Sequence, residues 1–423
     1  MEKPIDILKE DEMVERCFLV GIDTGEYDAE LSLSELAELA QTAGAEVCGN
    51  MLQRRESPDK ATCIGSGRLE ELSALCRQDE IDLVIFDREL SATQHRNLEE
   101  ALPCRVIDRT MLILDIFAGR ARSAEGRLQV ELAQLQYMLP RLMGQGLSLS
   151  RLGGGIGTRG PGESKLESDR RHIRRRIDSL RAQLKEVEKR RRAHRERRQK
   201  DGLATVAIVG YTNAGKSTLL NRLTDAGVLA QDMLFATLDT TTRALRLPDG
   251  RTVLLIDTVG LIRRLPHHLV EAFHATLEEA GDADLVLNLC DAASPEATEH
   301  LSIAEQLMQS LGRGDRPVLQ VFNKCDRVSP DSIPLGKNRV AISAITGEGI
   351  PELLAAIADA LPPDRRRVTL LFPFSLGALA EECRREGAVE SEEYVPEGLQ
   401  MTVILGSRML KKVADAGVQE MGE

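Results

Sequence analysis

The 423-residue chain contains no run near the length of about 18 consecutive apolar residues that a membrane-spanning helix requires. Its first segment, Met1–Glu15, is polar and acidic and lacks the apolar core of a signal peptide. No C-x-x-C pair occurs among the eight cysteines, Cys17, Cys48, Cys63, Cys76, Cys104, Cys290, Cys325 and Cys383. Scattered thiols in apolar segments read as reduced, buried side chains of a cytosolic protein. The seven histidines show no metal-ligand spacing. Positive charge is also in deficit: 55 Lys and Arg face 67 Asp and Glu, a net charge of −12, which argues against general nucleic-acid affinity.

What is present is unevenly spread. From Lys165 to Lys200 basic residues outnumber acidic ones by about ten, as in Arg174-Arg175-Arg176 and Arg190-Arg191-Arg192. Such local excess is the footprint of contact with a polyanion. A solvated, Arg-rich helix face is the competing reading.

The chemistry is carried by two motifs. Gly210-Tyr211-Thr212-Asn213-Ala214-Gly215-Lys216-Ser217 fits G-x-x-x-x-G-K-[ST]. An apolar strand-like run, Ala204–Val209, precedes it and a helix-like run, Thr218–Thr224, follows. Gly210 and Gly215 let backbone N–H groups turn inward around an anion, and the helix N-terminus adds further donors. Lys216 is placed to reach the outer phosphates, and the Ser217 hydroxyl to reach Mg²⁺. Downstream, Thr252–Ile256 reads as a strand ending at Asp257-Thr258-Val259-Gly260. There Asp257 can hold the Mg²⁺ shell, and the Gly260 N–H can approach a γ-phosphate. Two more strands, Leu285–Cys290 and Val318–Phe322, lead to Asn323-Lys324-Cys325-Asp326. Asp326 can accept from guanine N1–H and the exocyclic amine, a donor pair that adenine lacks. After a last strand, Arg339–Ile342, Ser343-Ala344-Ile345 closes the base pocket. Phosphate grip and base choice together predict a GTP- and GDP-binding protein that hydrolyses the β–γ bond.

Two further stretches narrow the reading. Phe235-Ala236-Thr237-Leu238-Asp239, followed by Thr240-Thr241-Thr242-Arg243, resembles the switch I segment of the HflX family of translation-factor-class GTPases. Gly153-Gly154-Gly155-Ile156-Gly157-Thr158-Arg159-Gly160-Pro161-Gly162-Glu163, with Leu166–Arg171 after it, is similar to that family's most specific signature. The resemblance runs from about residue 17 to residue 361. It implies nucleotide contacts from Gly210 to Thr218, Phe235 to Asp239, Asp257 to Gly260, and at Asn323, Lys324, Asp326, Ser343, Ala344 and Ile345. Lys216, Thr237 and Gly260 would then be catalytic, and Ser217 and Thr237 would hold Mg²⁺. In several relatives of this GTPase class the position of Asn213 helps coordinate a monovalent cation, so K⁺ joins the expected ions. The implied partner is the large ribosomal subunit with its rRNA, and the implied task is splitting stalled or idle ribosomes under stress. An RNA-binding regulator or ribosome-assembly GTPase is the alternative. A monomer when free and a cytoplasmic location follow, with a membrane-associated fraction left open. Two positions depart from the family pattern: Thr240 stands where Pro is usual, and Leu261 where Phe is usual.

The predicted architecture is α/β. Residues 1–121 alternate strands (Phe18–Ile22, Glu46–Leu52, Leu83–Phe86, Arg105–Ile107) with helices (Leu33–Ala43, Arg68–Arg77, Ala92–Ala101), which implies a parallel sheet. Residues 122–200 form a helical hairpin. Leu128, Leu132, Leu135, Leu139 and Leu142 match Ile173, Ile177, Leu180, Leu184 and Val187 at heptad steps, with Pro140 expected to kink or end the first helix. Residues 201–363 are the doubly wound P-loop GTPase domain. Residues 364–423 are a small α+β domain, with strands Val368–Phe372, Glu393–Tyr394 and Leu399–Leu405 and helices Gly377–Glu386 and Arg408–Ala414.

Overall fold

The computed structural model describes residues 14–149, 164–200, 203–224, 234–235, 241–258, 260–264, 281–310, 316–329, 331, 333–334, 336, 338–361 and 365–421. The stretch Gly153–Glu163 and the residues Ala236, Thr237, Leu238, Asp239, Thr240 and Val259 lie outside them.

The first sheet contains β1 (Arg16–Asp23), β2 (Glu46–Arg54), β3 (Leu83–Phe86) and β4 (Arg105–Asp108), all parallel, in the order β2-β1-β3-β4. The connections are α1 (Ala29–Thr42), α2 (Ser66–Gln78) and α3 (Ala92–Ala101). Local chemistry sets their starts. Asp28 accepts the Leu31 N–H at 3.0 Å, and Ser91 with Gln94 forms a reciprocal capping box. β3 is buried along its whole length, which accounts for its unbroken apolar sequence. A further helix, α4 (Arg109–Arg120), was not evident in the sequence. It buries seven residues, including Ile113 and Phe117, so its apolar positions show no clean helical face.

Two long helices follow, α5 (Ala124–Leu149) and α6 (Ser164–Lys200). Leu132, Ile177 and Leu180 are buried between them, with Leu128, Leu135, Leu139, Ile173 and Leu184 packed around. That is the heptad seam read from the sequence, except for Val187, which is not in this cluster, and Leu142, whose side chain lies outside the described residues. Pro140 does not end α5, which continues to Leu149. A proline inside a helix costs about 3 kcal/mol through a lost backbone bond and a ring clash. Here Arg141 braces the same turn. It donates to the Tyr137 carbonyl at 2.9 Å and to the Leu90 carbonyl at 2.7 Å, and its guanidinium lies 3.3 Å from the centre of the Tyr137 ring. The Tyr137 hydroxyl donates in turn to buried Asp108.

The second sheet has the order β10-β9-β8-β5-β7-β6. Its strands are β5 (Thr205–Gly210), β6 (Thr241–Arg246), β7 (Thr252–Asp257), β8 (Leu285–Asp291), β9 (Val318–Asn323) and β10 (Arg339–Ala341). All pairs are parallel except β6 with β7. Helices α7 (Lys216–Thr224), α8 (Ala297–Ser310) and α9 (Ile350–Ala360) belong to this unit. β6 was read only as part of a switch segment, yet it pairs along β7 with Thr241 opposite Asp257.

The C-terminal unit runs β11 (Arg365–Phe372), α10 (Gly377–Glu386), β12 (Ala388–Val395), β13 (Gly398–Gly406), α11 (Ser407–Asp415), β14 (Gln419–Met421). Its antiparallel order β12-β13-β11-β14 is the split β-α-β arrangement. Val368, Leu370, Phe372, Met401, Val403 and Leu405 form one buried sheet face, joined by Ala380, Cys383, Met409 and Val413 of the two helices.

Candidate functional site

The phosphate loop links the end of β5 to α7. Gly210 has φ +156°, and a Cβ there would stand 2.2 Å from the Leu289 carbonyl oxygen. Gly215 has φ +93°, and its Cβ would meet Asn323 Nδ2 at 2.3 Å. Both positions therefore require glycine. Asn213 adopts φ +60°, a left-handed conformation that Asn tolerates better than most residues.

Lys216 is buried and folds back on the loop. Its Nζ donates to the carbonyls of Gly210 at 3.1 Å and Tyr211 at 2.9 Å. Burial pulls its pKa down to about 8, opposed by the negative charge of Asp257. Asp257 is fully buried at the end of β7, and its Oδ2 accepts from the Ser217 hydroxyl at 3.2 Å. A hydroxyl beside a carboxylate at a helix start offers hard oxygens of the kind Mg²⁺ takes, and these two residues would hold it. Thr258 donates to the Ile208 carbonyl at 2.7 Å.

Gly260 lies across the loop. A Cβ there would come 2.6 Å from Thr212 Cγ2 and 3.2 Å from Lys216 Nζ. The next residue is stitched to the phosphate loop: Leu261 N–H donates to the Gly210 carbonyl at 3.1 Å, and Thr212 N–H to the Leu261 carbonyl at 2.7 Å. The Leu261 side chain points the other way, buried among Ala207, Val209, Ala283, Val286 and Ala304.

The residues expected to recognise the base gather at the ends of β9 and β10. Asn323 is buried and ties two loops together. Its Nδ2 donates to the Ala214 carbonyl at 2.8 Å, and its Oδ1 accepts the Ala344 N–H at 3.0 Å. Lys324 has φ +63° and pairs with Asp291 at 2.8 Å. Asp326 is exposed, on the short helical turn Cys325–Arg327. Ser343 and Ala344 are buried and Ile345 is exposed.

Sequence reading missed the contacts between this site and the first sheet. The Tyr211 hydroxyl donates to Glu35 of α1 at 2.8 Å and accepts the Arg263 N–H at 2.9 Å, while its ring stacks on His300 at 3.8 Å. Arg109 of α4 pairs with Glu35 at 3.2 Å and with Asp87 at 2.9 Å, and donates to the Arg263 carbonyl at 3.1 Å. Asp87 follows β3 at the point where the strand order reverses, the usual ligand crevice of an open parallel sheet. Here the crevice holds Arg264. Its guanidinium donates to Asp87 Oδ2 at 3.0 Å and to Ser32 Oγ at 2.9 Å, and lies 3.9 Å from the centre of the Tyr27 ring. Phe235 also belongs to this interface, with its ring edge-on to Phe117 at 4.7 Å. One local signal existed: Arg109 is a charged residue opening the apolar run Met111-Leu112-Ile113-Leu114. A cavity of about 180 Å³ opens beside the loop, lined by Glu35, Glu38, Asn213, Leu234, Glu296 and His300 among others.

Residues 30–118 match the family described as GTP-binding GTPase N-terminal, and residues 120–198 the one described as GTP-binding GTPase Middle Region. Residues 205–324 match the family described as 50S ribosome-binding GTPase. GTPase HflX of Caldanaerobacter subterraneus subsp. tengcongensis is 51% identical over 388 residues, covering 92% of this chain and 90% of its own. GTPase HflX of Lacrimispora saccharolytica is 46% identical over 97% of this chain and 98% of its own. The Escherichia coli protein of that name is 41% identical over 90% and 92%. Among solved structures, a GTP-binding protein from Sulfolobus solfataricus in complex with GDP is 24% identical, with a TM-score of 0.45, covering 82% of this chain and 98% of its own. With three relatives above 40% identity across nearly the whole length, the chain belongs to the HflX family of GTPases.

Proposed function

We propose that this chain hydrolyses GTP by in-line attack of water on the γ-phosphate, and that the cycle governs its binding to the large ribosomal subunit, where it splits stalled or idle ribosomes. The observation that carries the reading is the direct tie between phosphate loop and base motif, Asn323 to Ala214 at 2.8 Å, within residues that match the 50S ribosome-binding GTPase family.

In this reading Lys216 leaves the carbonyls of Gly210 and Tyr211 for the β- and γ-phosphates, trading two neutral acceptors for charged ones. Gly260 N–H contacts the γ-phosphate, and the absence of a Cβ lets it approach. Ser217 and Thr237 would hold Mg²⁺ with Asp257 beside them, and the ion would supply positive charge to the phosphates. Asn323, Lys324 and Asp326 select guanine. The exposed basic residues of α6, Arg174 and Arg175 among them, are the surface offered to rRNA. Among the described residues no helix is long and apolar enough to cross a membrane. The proposed protein works in the cytoplasm and is monomeric when free.

Sucrose-gradient profiles of intact ribosomes test the proposal. Adding the protein with a non-hydrolysable GTP analogue should convert intact ribosomes into subunits. An unchanged profile, with the protein found instead on immature large subunits, would replace splitting with an assembly role.

A further inference from the structure

Helix α7 begins in the phosphate loop and ends beside the base loop. Six residues after Lys216, Arg222 turns its guanidinium toward the loop that follows β10. Nε donates to the Ala344 carbonyl at 3.1 Å, and Nη2 donates to the Ile345 carbonyl. Gly347 lies against the same group, since a Cβ there would stand 3.4 Å from Nη2. From another direction Asn323 Oδ1 accepts the Ala344 N–H at 3.0 Å. Ala344 is thus held at both polar groups, its N–H by Asn323 and its carbonyl by Arg222. The Thr346 N–H is also assigned, to Ser343 Oγ at 3.2 Å.

A trans peptide directs its C=O and N–H in opposite directions. Fixing the Ala344 carbonyl on Arg222 therefore fixes the Ile345 N–H away from it. We infer that Arg222 is a positioning residue for guanine selection, holding the Ala344–Ile345 peptide so that the Ile345 N–H meets the guanine O6. The inference rests on the guanine-pocket reading above and adds to it a residue outside every recognition motif. O6 is an acceptor, whereas adenine presents an amine at that position, so a rigid N–H rewards one base and leaves the other unmatched. A planar guanidinium suits the task because it can donate to two neighbouring carbonyls from one fixed fork. A lysine ammonium lacks that fixed fork.

Three nucleotides separate the possibilities, measured by equilibrium binding to the full chain. 6-Thio-GTP differs from GTP only at O6, where sulfur accepts poorly. ITP differs only by the missing 2-amine that faces Asp326. The Arg222→Ala variant should bind GTP about tenfold more weakly while 6-thio-GTP weakens by less than about threefold, the loss of roughly one aligned hydrogen bond. Its preference for GTP over ITP should match the parent chain, and Arg222→Lys should recover part of the GTP affinity. Equal weakening of all three nucleotides would make Arg222 a general support of the fold and overturn the inference. Unchanged GTP binding would overturn it as well. A parent chain that does not prefer GTP to ITP would instead bring down the Asp326 pocket, and the two failures are therefore distinguishable.

Discussion

Tyr211, the second residue of the phosphate loop, donates its hydroxyl proton to Glu35, 176 residues away on the first helix of the N-terminal sheet. The same hydroxyl accepts the backbone N–H of Arg263, three residues past Gly260. One oxygen thus joins the phosphate loop, the segment after Gly260 and the N-terminal domain. Burial holds the Tyr211 phenol well above its usual titration range, so the donor to Glu35 is retained at physiological pH. Removing it in Tyr211→Phe leaves the Arg263 N–H and the half-buried Glu35 carboxylate short of a partner. The expected cost is about 1–3 kcal/mol of unfolding free energy, read by urea denaturation. An unaltered midpoint would mean that the two domains do not depend on this contact.

The legible parts of the fold were those whose signals are local. β3 announces itself as four apolar residues, and the phosphate loop as a fixed spacing of Gly, Lys and Ser between a strand and a helix. The heptad seam of α5 and α6 was legible because leucines at steps of three and four meet only one kind of partner. β6 was not, because an edge strand of Thr and Arg has no apolar alternation. α4 was not, because a helix buried on several sides has no polar face to set its period. The docking of Arg264 on Asp87 joins residues 177 apart, and neither belongs to a motif. Pro140 was expected to kink or end α5; the helix runs on past it to Leu149, and Arg141 of the same turn bonds to the Leu90 carbonyl. At the site, the motif residues stand out in the sequence but the ties among them do not. The sequence indicates that Asn323 matters for the base; only the fold reveals that it also holds the Ala214 carbonyl.

Base choice is tested at Asp326. In Asp326→Asn the amide can donate where a carboxylate only accepts. GTP affinity should fall by at least about a hundredfold, the penalty for losing two matched hydrogen bonds, while xanthosine triphosphate gains. Ordinary GTP affinity in the variant would remove Asp326 from the pocket.

The basic surface of α6 is less free than its composition suggests. Arg176 is locked in a two-point pair with Glu131 at 2.6 and 2.7 Å, and Arg191 pairs with Glu125 at 2.9 Å. Charge reversal belongs at Arg174 and Arg175, which face solvent. Replacing both with Glu should weaken large-subunit binding and lower its salt dependence by about one unit per lost phosphate contact. GTP affinity should not change. A salt slope equal to that of the parent chain would return this face to a solvated surface.

Asn213 stands at the rim of a cavity lined by Glu35, Glu38, Asp291 and Glu296 but also by Arg263, and Glu35, Asp291 and Glu296 are each paired with a basic side chain. The prediction rests on the Asn213 amide oxygen, a neutral donor able to hold a monovalent cation beside the phosphates, which would supply the positive charge an arginine finger brings elsewhere. Hydrolysis should be faster in K⁺ than in Na⁺ at equal ionic strength, and Asn213→Ala should erase the difference. Equal rates in the two salts for the parent chain would dispose of the idea.

The final prediction concerns who completes the active site. Ras-like enzymes carry a Gln directly after Asp-x-x-Gly to orient the attacking water. Here that residue is Leu261, which has no polar atom on its side chain and buries it against the sheet, 5% exposed. Its backbone, not its side chain, serves the site, through the bonds to Gly210 and Thr212. Leu261→Ala should therefore lower stability by about 2–4 kcal/mol, as expected for a truncated core leucine. The intrinsic hydrolysis rate of the folded variant should stay within about threefold of the parent, less than 1 kcal/mol of barrier, because no polarising group is lost. We propose that the missing group comes from the large ribosomal subunit rather than from a switch I residue such as Thr240 or Thr241. Turnover should be slow alone and rise at least about tenfold with purified large subunits, equivalent to about 1.4 kcal/mol of barrier. Single-turnover measurements with and without subunits decide the matter. A fast intrinsic rate indifferent to subunits would mean that the water is positioned within the chain.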